Sequence, residues 1–458
     1  MHRPLARITT VLGAILIAAC HDGTAPGVPL ASIRSVVPDT MVNGDIRLDY
    51  VLTGAAAIDV EYWDTPTHRL LLHRKAVPAE GSVALPQLRA GKQYQYSLTV
   101  TDARGRTGDK ETGRFATPGL PDDLLRTTFT TTGTPTSPLT MLEVNGAFQG
   151  FVIVDGDGHP VWRWRTHGAP QGFTRRGNGN FVFNDLGSGL FEVTVDGNIV
   201  HELPPLPAGA RVPHHDLIAT PTNTILFIAQ ETRGTITGDC IWEWNPETGE
   251  AIQRFSVFDF YDPAVDWAPR SLAYDWVHAN SLALGNHGNV ILSLNWLDQV
   301  IAIAPDWKSI EWKAGGRAST FAFDAGSSFQ GQHTASLLPN GHLLLFDNGR
   351  DRVGDQRYSR GLELALDRRA GTARTVWSFR PAPDIYAPYV GATRRLASGN
   401  TLVFFGLPSG SSTGASGPVA GYEVRPDGAV AWSITVGNVK SVYRATPMTS
   451  IAGEVATP

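Results

Sequence analysis

The sequence is poor in cysteine, with two in 458 residues. A chain with so few thiols cannot rely on a disulfide framework, so its folded parts must be stabilised by packed cores. The sequence also has no long run of Lys and Arg, and its formal net charge is −5. Since a phosphate backbone calls for concentrated positive charge, nucleic-acid binding is not expected. A long amphipathic helical period is absent as well, which disfavours a helical fold.

What the chain does contain favours an all-β fold. It has 48 glycines and 31 prolines, and Thr and Val are also frequent. The hydrophobic fraction of 42% and the charged fraction of 18% are those of a globular protein. The length exceeds that of one ordinary core, so two domains or one large repeat domain are expected.

The apolar run Val11–Ala19 follows Arg3 and Arg7 near the N-terminus. It is too short to span a bilayer, but its length and basic flank are typical of a signal peptide. We therefore predict an exported protein.

The end of that run, Ile17-Ala18-Ala19-Cys20, resembles the cleavage site of a bacterial lipoprotein. The resemblance implies that residues 1–19 are removed and that Cys20 is lipidated. Residues 20–30 are expected to form a flexible tether, because the stretch from about residue 22 is rich in Gly, Pro and Ala. The next residue is His21 rather than Asp, which by the same resemblance argues against retention in the inner membrane. The expected location is the cell envelope, on the periplasmic or surface face of the outer membrane, with the lipid as the membrane contact. The alternative is an ordinary signal peptide with a chance cysteine.

Residues 31–117 read as short alternating strands, such as Ile46–Val51 and Tyr94–Val100. They resemble a fibronectin type III-like β-sandwich, with Tyr94 near the position of the corner tyrosine. No residue in this part suggests chemistry, so a spacer or docking role is expected. A Thr- and Pro-rich linker is predicted over residues 118–139.

Residues 140–458 repeat one pattern, in which a strand is followed by a turn and then by a strand that usually bears Trp. Six copies recur at intervals of about 40 to 60 residues, beginning near Val154, Val195, Trp244, Ile303, Leu366 and Val424. Several strands per unit without helices are typical of propeller blades. We predict a six-bladed β-propeller whose inner strands line a central channel.

A second repeated element, a strand before a tight Asn- or Gly-containing turn, places three histidines in register. His215, His278 and His333 lie at the same distance before their turns, once the longer turn of one copy is allowed for. The flanking copies have Gln171 and Gly391 there. Equivalent positions on adjacent blades converge on the channel, so these histidines are predicted to form a functional cluster. Polar neighbours extend it, namely His214, Asp216, Asn280 and Gln332.

The spacing alone leaves the chemistry of the cluster open. Three imidazoles can bind a metal such as zinc. They can also include a nucleophile or a general acid and base near neutral pH. A partly protonated cluster can bind an anion.

Several stretches resemble the bacterial arylsulfotransferases that work without a nucleotide sulfate donor. In chain order they are His214–Leu217, Asp275–Ser281, Gln332-His333, Leu345–Gly349, Tyr358–Arg360, Ser398–Thr401 and Val442–Ala445. The resemblance implies a ping-pong transfer in which a sulfohistidine carries the sulfuryl group from an aryl sulfate donor to a phenolic acceptor. Neither a cofactor nor a bound metal is predicted with this interpretation.

The resemblance also implies roles for individual residues. His333 matches the nucleophile, while His215 and His278 would contact the sulfuryl oxygens or the leaving oxygen and stabilise their negative charge. Asn280 would donate from its amide, and His214 is a further candidate.

One position departs from the family pattern. Asn295 stands where the family has an active-site arginine, and asparagine brings neither the charge nor the fork of a guanidinium. Arg360 or Arg394 is a candidate to replace that cation from a neighbouring blade. Without such a replacement, a different substrate or a weak or lost activity is expected. Two alternatives stay open: a hydrolase or metal-dependent enzyme that uses the three histidines, and a non-catalytic envelope protein that binds a ligand, which Asn295 favours.

Overall fold

A computed structural model describes residues 30–41, 45–207, 210–353, 357–408, 418–451 and 455–456. Cys20, the predicted signal peptide and most of the predicted tether lie outside the described residues. The all-β prediction is confirmed, because the helices of the described part are limited to α1 (Asp122–Leu125) and one 3₁₀ turn, Val257–Asp259. Within the same ranges no helix has the length and apolar character needed to cross a membrane.

Seven strands before residue 117 form two sheets. They are β1 (Ser32–Thr40), β2 (Ile46–Thr53), β3 (Ala57–Thr65), β4 (His68–Lys75), β5 (Glu80–Leu85), β6 (Gln93–Thr101) and β7 (Thr107–Ala116). One sheet has the order β1-β2-β5 and the other contains β4-β3-β6-β7. Burial alternates along β2 and β3, as expected for strands that each cover one side of a core. The Tyr94 hydroxyl accepts a hydrogen bond from the Arg89 N–H at 2.9 Å.

The rest of the described chain forms six further sheets of four or five strands. Their strands are β8 (Thr128–Gly133), β9 (Leu139–Gly146), β10 (Gln149–Asp155), β11 (Pro160–Arg165), β12 (Pro170–Arg175), β13 (Phe181–Asp185), β14 (Gly189–Val193), β15 (Ile199–Glu202), β16 (Ala210–Ala219), β17 (Ile225–Arg233), β18 (Ile236–Trp244), β19 (Ala251–Ser256), β20 (Ala279–Leu284), β21 (Val290–Leu294), β22 (Gln299–Ile303), β23 (Ile310–Gly315), β24 (Ala322–Phe323), β25 (His333–Leu337), β26 (Leu343–Asp347), β27 (Arg360–Asp367), β28 (Thr372–Phe379), β29 (Ala392–Arg395), β30 (Thr401–Phe405), β31 (Val419–Val424), β32 (Val430–Gly437) and β33 (Val439–Met448). The sheet orders are β11-β10-β9-β33, β12-β13-β14-β15, β16-β17-β18-β19, β20-β21-β22-β23, β24-β28-β27-β26-β25 and β29-β30-β31-β32-β8. Pairing is antiparallel except between β24 and β28.

One strand of each sheet lies against one strand of the next. β12 contacts β16, and the contacts continue through β20, β25, β29 and β33 back to β12. These six inner strands form a closed cycle within the described residues. Strands from the two ends of the repeat region complete the cycle. The late strand β33 pairs with the early strand β9, and the early strand β8 pairs with the late strand β32.

Part of the segment predicted as a linker is folded. β8 lies within residues 118–139 and pairs along its whole length with β32, from Gly133 opposite Trp432 to Thr128 opposite Gly437. Its Thr-rich composition suits a strand, since threonine is β-branched. A partner some 300 residues away in the chain cannot be seen in local composition, which is why this strand was not predicted.

The two parts of the chain touch through ion pairs and a short strand. The Arg89 guanidinium donates to the carboxylates of Asp155 and Asp157, both at 2.6 Å. The last strand, β34 (Val455–Ala456), pairs with β4 of the first part. The chain therefore returns to its N-terminal sheets after completing the cycle.

Aromatic side chains fill the space between the first two sheets of the cycle. The ring centroid of Phe183 lies 4.2 Å from that of Phe151 and 5.0 Å from that of Trp164. Phe183 is fully buried. Such contacts between sheets, rather than disulfides, hold neighbouring units together.

Phe183→Ala should lower the free energy of unfolding by about 3–5 kcal/mol, because it leaves a cavity between two sheets. Ile199→Ala is the control: Ile199 is 54% exposed, and its loss should change that free energy by less than about 0.5 kcal/mol. Urea titration of both variants measures the difference. Equal effects would show that this aromatic contact does not stabilise the cycle.

Candidate functional site

In five of the inner strands the regular antiparallel pairing is interrupted at corresponding points, next to the predicted site residues. The register shifts lie between Pro170 and Phe173 in β12, Pro213 and Leu217 in β16, Ala279 and Ser281 in β20, His333 and Ser336 in β25, and Val442 and Ala445 in β33. His215 and His278 have positive φ angles of 59° and 52°, and Thr334 has one of 50°. Strained backbone of this kind is common at functional sites.

The N–H groups freed by these shifts bond to side chains of the preceding inner strand. The His215 N–H donates to the Gln171 side chain at 3.0 Å. The Ala335 N–H donates to the Ser281 hydroxyl at 3.1 Å. Neighbouring inner strands are thereby linked where the site residues stand, which satisfies N–H groups that are buried from water.

The histidines predicted to converge lie around one tyrosine. The rings of His215 and His278 meet edge to face with centroids 4.6 Å apart. The Tyr443 ring lies 5.9 Å from His215 and 6.4 Å from His333. The structure thus brings residues from β16, β20, β25 and β33 to one place inside the cycle.

His333 is held in one tautomer. Its Nδ1 lies 2.8 Å from the Asn348 Oδ1. The Asn348 amide nitrogen donates to the carbonyls of Ala387 at 2.7 Å and Val390 at 2.8 Å, which leaves its oxygen facing the ring. Nδ1 therefore carries the proton and donates it, and Nε2 keeps a free lone pair.

Burial keeps two of these imidazoles neutral. It lowers the pKa of His333 to about 3, against the opposing effect of the Asn348 hydrogen bond, and the charges of Arg444 and His278 add to the lowering. Burial and the neighbouring histidines bring the pKa of His215 well below its ordinary value. A neutral ring is the nucleophilic form of histidine.

His278 has an acidic partner. Its Nδ1 lies 2.7 Å from the Asp275 Oδ2, which also accepts a hydrogen bond from the Trp296 indole at 3.0 Å. The Trp296 ring packs on His278 with centroids 4.3 Å apart. A histidine oriented by a carboxylate is the arrangement used for proton transfer.

His214 extends the cluster away from the channel histidines. Its Nδ1 lies 2.7 Å from the Nδ1 of His215, so one of the two rings donates to the other. Its Nε2 lies 3.2 Å from the Asp239 carboxylate. The contact places His214 behind His215 as a partner of that ring.

The amides of Asn280 and Asn295 both donate to the Gln332 carbonyl, at 2.8 and 3.1 Å. Each is fully or almost fully buried. The Asn295 backbone N–H also donates to the His278 carbonyl at 3.1 Å. Both amides thus bond to the strand that bears His333, and Asn295 supplies no positive charge.

Arg360 does not replace the missing cation in this structure. Its guanidinium donates to the Asp347 carboxylate at 2.8 Å and to the carbonyls of Gly326 and Ser328, both at 2.9 Å. The Asp347 carboxylate at the end of β26 balances the charge of Arg360, and the two carbonyls accept further hydrogen bonds from it. The sequence made Arg360 a candidate because it shows the strand and not these partners.

Arg394 lies in a different place. With Glu143 and Arg444 it lines a cavity of about 510 Å³, which none of the three channel histidines lines. Arg444 pairs with the Asp216 carboxylate at 2.5 Å and donates to the Asn280 carbonyl at 2.6 Å. The buried cation beside the histidines is therefore Arg444, and its charge is balanced by a carboxylate.

A metal-ligating geometry is found elsewhere. Among the described residues, the side chains of Asp155, Asp157 and His159 form a group of three whose ligand atoms all lie within 4.8 Å of one another. Arg89 already binds both carboxylates there.

A family model described as arylsulfotransferase (ASST) matches residues 128–444. The chain belongs to the arylsulfotransferase family. The match begins at the first residue of β8 and ends at Arg444, so it includes the histidines and the strands that close the cycle.

A curated relative is the arylsulfate sulfotransferase AssT of Escherichia coli O6:H1 (strain CFT073). It is 35% identical over 83 residues, which are 16% of this chain and 14% of the relative. The match thus spans about one seventh of that relative's length.

Solved structures resemble the chain more weakly. A streptogramin B lyase has a TM-score of 0.37 at 12% identity, covering 77% of this chain and 96% of its own. The virginiamycin B lyase of Staphylococcus aureus has a TM-score of 0.35 at 11% identity, covering 88% and 98%. Neither likeness bears on the activity of this arylsulfotransferase family member.

Counting register in the sequence did not single out Asn348, Tyr443 or Arg444. The count finds one position per repeat, whereas Asn348 follows the next strand and the other two come from the closing strand β33. A signal was present, because all three lie in stretches that carry the family resemblance. Asp275 likewise stands three residues before His278 in such a stretch.

His333→Gln should make stability less dependent on pH. In the wild type the unfolded imidazole takes up a proton below about pH 6.5, whereas the folded one stays neutral down to about 3. Stability contributed by the neutral ring is therefore present above pH 6.5 and lost as the pH falls towards 3. Between pH 6 and 4 the wild-type free energy of unfolding should fall more steeply than that of the variant, by about 1.4 kcal/mol per pH unit. Urea titrations at each pH measure this, and parallel slopes would contradict the burial of a neutral His333.

Proposed function

We propose that the protein is an aryl-sulfate sulfotransferase that transfers a sulfuryl group to a phenolic acceptor through a sulfohistidine on His333. One observation carries the proposal: a buried neutral imidazole has its Nδ1 fixed by Asn348 and its Nε2 free, beside two further histidines. Family membership supports the substrate class. We further propose that the cycle of six sheets is a six-bladed β-propeller and that the N-terminal sheets are a fibronectin type III-like sandwich.

In the first half-reaction the lone pair on the His333 Nε2 attacks the sulfur of the aryl sulfate. The S–O bond to the aryl group breaks, and its electron pair leaves on the phenolic oxygen. Protonated His278, balanced by Asp275 at 2.7 Å, gives its proton to that oxygen and releases a phenol. The sulfuryl group remains on His333 as an N–S adduct.

The second half-reaction reverses these steps with a different phenol. The acceptor oxygen attacks sulfur while the now neutral His278 takes the acceptor's proton. The N–S bond breaks and returns its electron pair to His333. Atoms and protons balance over the two halves, and the ring of Tyr443 between the histidines gives an aromatic substrate a surface to pack on.

His215 would stabilise charge rather than move protons. Burial and its neighbours keep it neutral, so it can donate one N–H to a sulfuryl oxygen. The nearby Arg444 adds positive potential, although Asp216 offsets its charge.

For location, we propose that Cys20 carries a lipid that anchors the chain at the outer membrane. The support is the motif Ile17-Ala18-Ala19-Cys20 after a signal-like run. Radiolabelled palmitate should enter the wild type expressed in a bacterial host and not Cys20→Ser. Equal labelling would contradict the anchor.

Asn295 favours a second candidate, a non-catalytic propeller that binds an aromatic anion. The family arginine would help to stabilise the charge of the transferred group, and an amide does so less well. Such a protein would bind aryl sulfates without cleaving them.

His333→Ala should reduce acceptor-dependent release of a chromogenic phenolate by about 10³-fold or more, because the nucleophile is lost. The assay uses an aryl sulfate with and without an added phenol, in the presence of a chelator. His167→Ala is the control, since the His167 side chain is 92% exposed. In the absence of acceptor, mass spectrometry should find a sulfuryl adduct on His333.

Other outcomes would point to the alternatives. Release that needs a metal and no acceptor would indicate a hydrolase. Binding of aryl sulfates without any release would indicate the non-catalytic protein. Full activity in His333→Ala would contradict the assignment of the nucleophile.

A further inference from the structure

Arg350 is separated from the nearest of the histidines, His278, by the ring of Trp296. The guanidinium carbon of Arg350 is 4.1 Å from the centroid of the Trp296 ring and 4.2 Å from that of Tyr389. The other neighbour of Trp296 is His278, at 4.3 Å between centroids. The cation is therefore held between two rings at the edge of the site.

The backbone of Arg350 is tied to the segment that bears His333. The Gly349 N–H donates to the Gln330 carbonyl at 3.0 Å. A Cβ atom on Gly331 would come within 3.0 Å of the Arg350 Cβ, so the absence of a side chain there lets the arginine lie across the strand. The Arg350 carbonyl accepts a hydrogen bond from the Tyr386 hydroxyl at 2.7 Å. Arg350 is thus positioned by the same turn that fixes Asn348.

Nearby arginines differ from Arg350 in their charge balance. Arg270 pairs with both Asp298 and Asp351, and Arg352 pairs with Asp347. In the part of the chain that the structure describes, Arg350 has no carboxylate within salt-bridge distance. Aromatic faces hold a guanidinium without using its N–H edge, so that edge stays available to an anion.

We propose that Arg350 binds the sulfate group of the aryl sulfate donor and supplies the cation that Asn295 does not. The proposal rests on the proposed function for the identity of the donor. The cation would then come from the turn after β26 rather than from the end of β21, and it would approach the donor beside Trp296. The fork of the guanidinium matches two sulfate oxygens, and the aromatic rings on either side of it favour a donor whose sulfate is attached to a flat ring.

The experiment separates binding from turnover by using 2-naphthalenesulfonate, an aryl anion whose sulfur is attached through carbon and is not transferred. 2-Naphthol has the same ring without the charge. Calorimetry measures the affinity of both for the wild type and for Arg350→Gln and Arg350→Lys. The control is Arg357→Gln, which removes an exposed cation near Tyr386, on the segment that follows Arg350.

Arg350→Gln should weaken sulfonate binding roughly ten- to hundredfold and leave naphthol binding unchanged. Arg350→Lys should restore part of the affinity, because it keeps the charge and loses the fork. Arg357→Gln should change the affinity by less than about twofold, since exposed charges are screened. With a chromogenic aryl sulfate, Arg350→Gln should lower kcat/KM by roughly 10²-fold.

Two results would overturn the proposal. If Arg350→Gln binds the sulfonate and turns over aryl sulfate as the wild type does, the sulfotransferase stands and the assignment of Arg350 is wrong. If sulfonate and naphthol lose affinity equally, Arg350 acts on the shape of the pocket and not on the anion. Failure of the proposed function looks different: no aryl sulfate is cleaved, yet sulfonate binding still depends on Arg350.

Discussion

The geometry of the site depends on a backbone constraint that recurs from strand to strand. Five of the six inner strands leave their ladder inside the cycle, and His215 and His278 adopt positive φ at a cost of about 1–2 kcal/mol per residue. The freed N–H groups cannot stay unbonded in a dry interior. Side chains of the preceding strand, Gln171 and Ser281 among them, accept their hydrogen bonds. The backbone that presents His215 and the backbone after His333 are therefore each held by the neighbouring inner strand.

The neutral and the charged groups of the site lie at different depths in the cycle. Deep in the cycle, burial keeps His215 and His333 neutral, and the guanidinium of Arg444 is matched by Asp216. Nearer the edge, Asp275 can balance a charged His278, and aromatic rings flank an arginine. A neutral nucleophile needs low dielectric, whereas an anion entering from water needs an accessible cation. The proposed sulfuryl transfer would draw on both environments, with residues from different sheets.

The sequence was informative where structure repeats. Period and turn chemistry predicted the all-β class, and register predicted that His215, His278 and His333 lie together, because equivalent positions of a repeat occupy equivalent places. It was uninformative where one contact joins distant segments. The strand β8 inside the expected linker pairs with β32, and Arg360, a candidate for the cation, pairs with Asp347. Such partners are set by closure of the cycle and leave no local pattern.

Closure by β33 also bears on how the protein is made. Tyr443 and Arg444 reach the histidines only when β33 pairs with β9, a strand synthesised some 300 residues earlier. Until then β9 has an unpaired edge, which is the kind of strand that associates with other chains. A growing chain can build most of these sheets in turn, yet the site is incomplete until β33 has been synthesised and paired with β9. The pairing of β33 with β9 thus completes the site and covers the exposed edge of β9 in the same step.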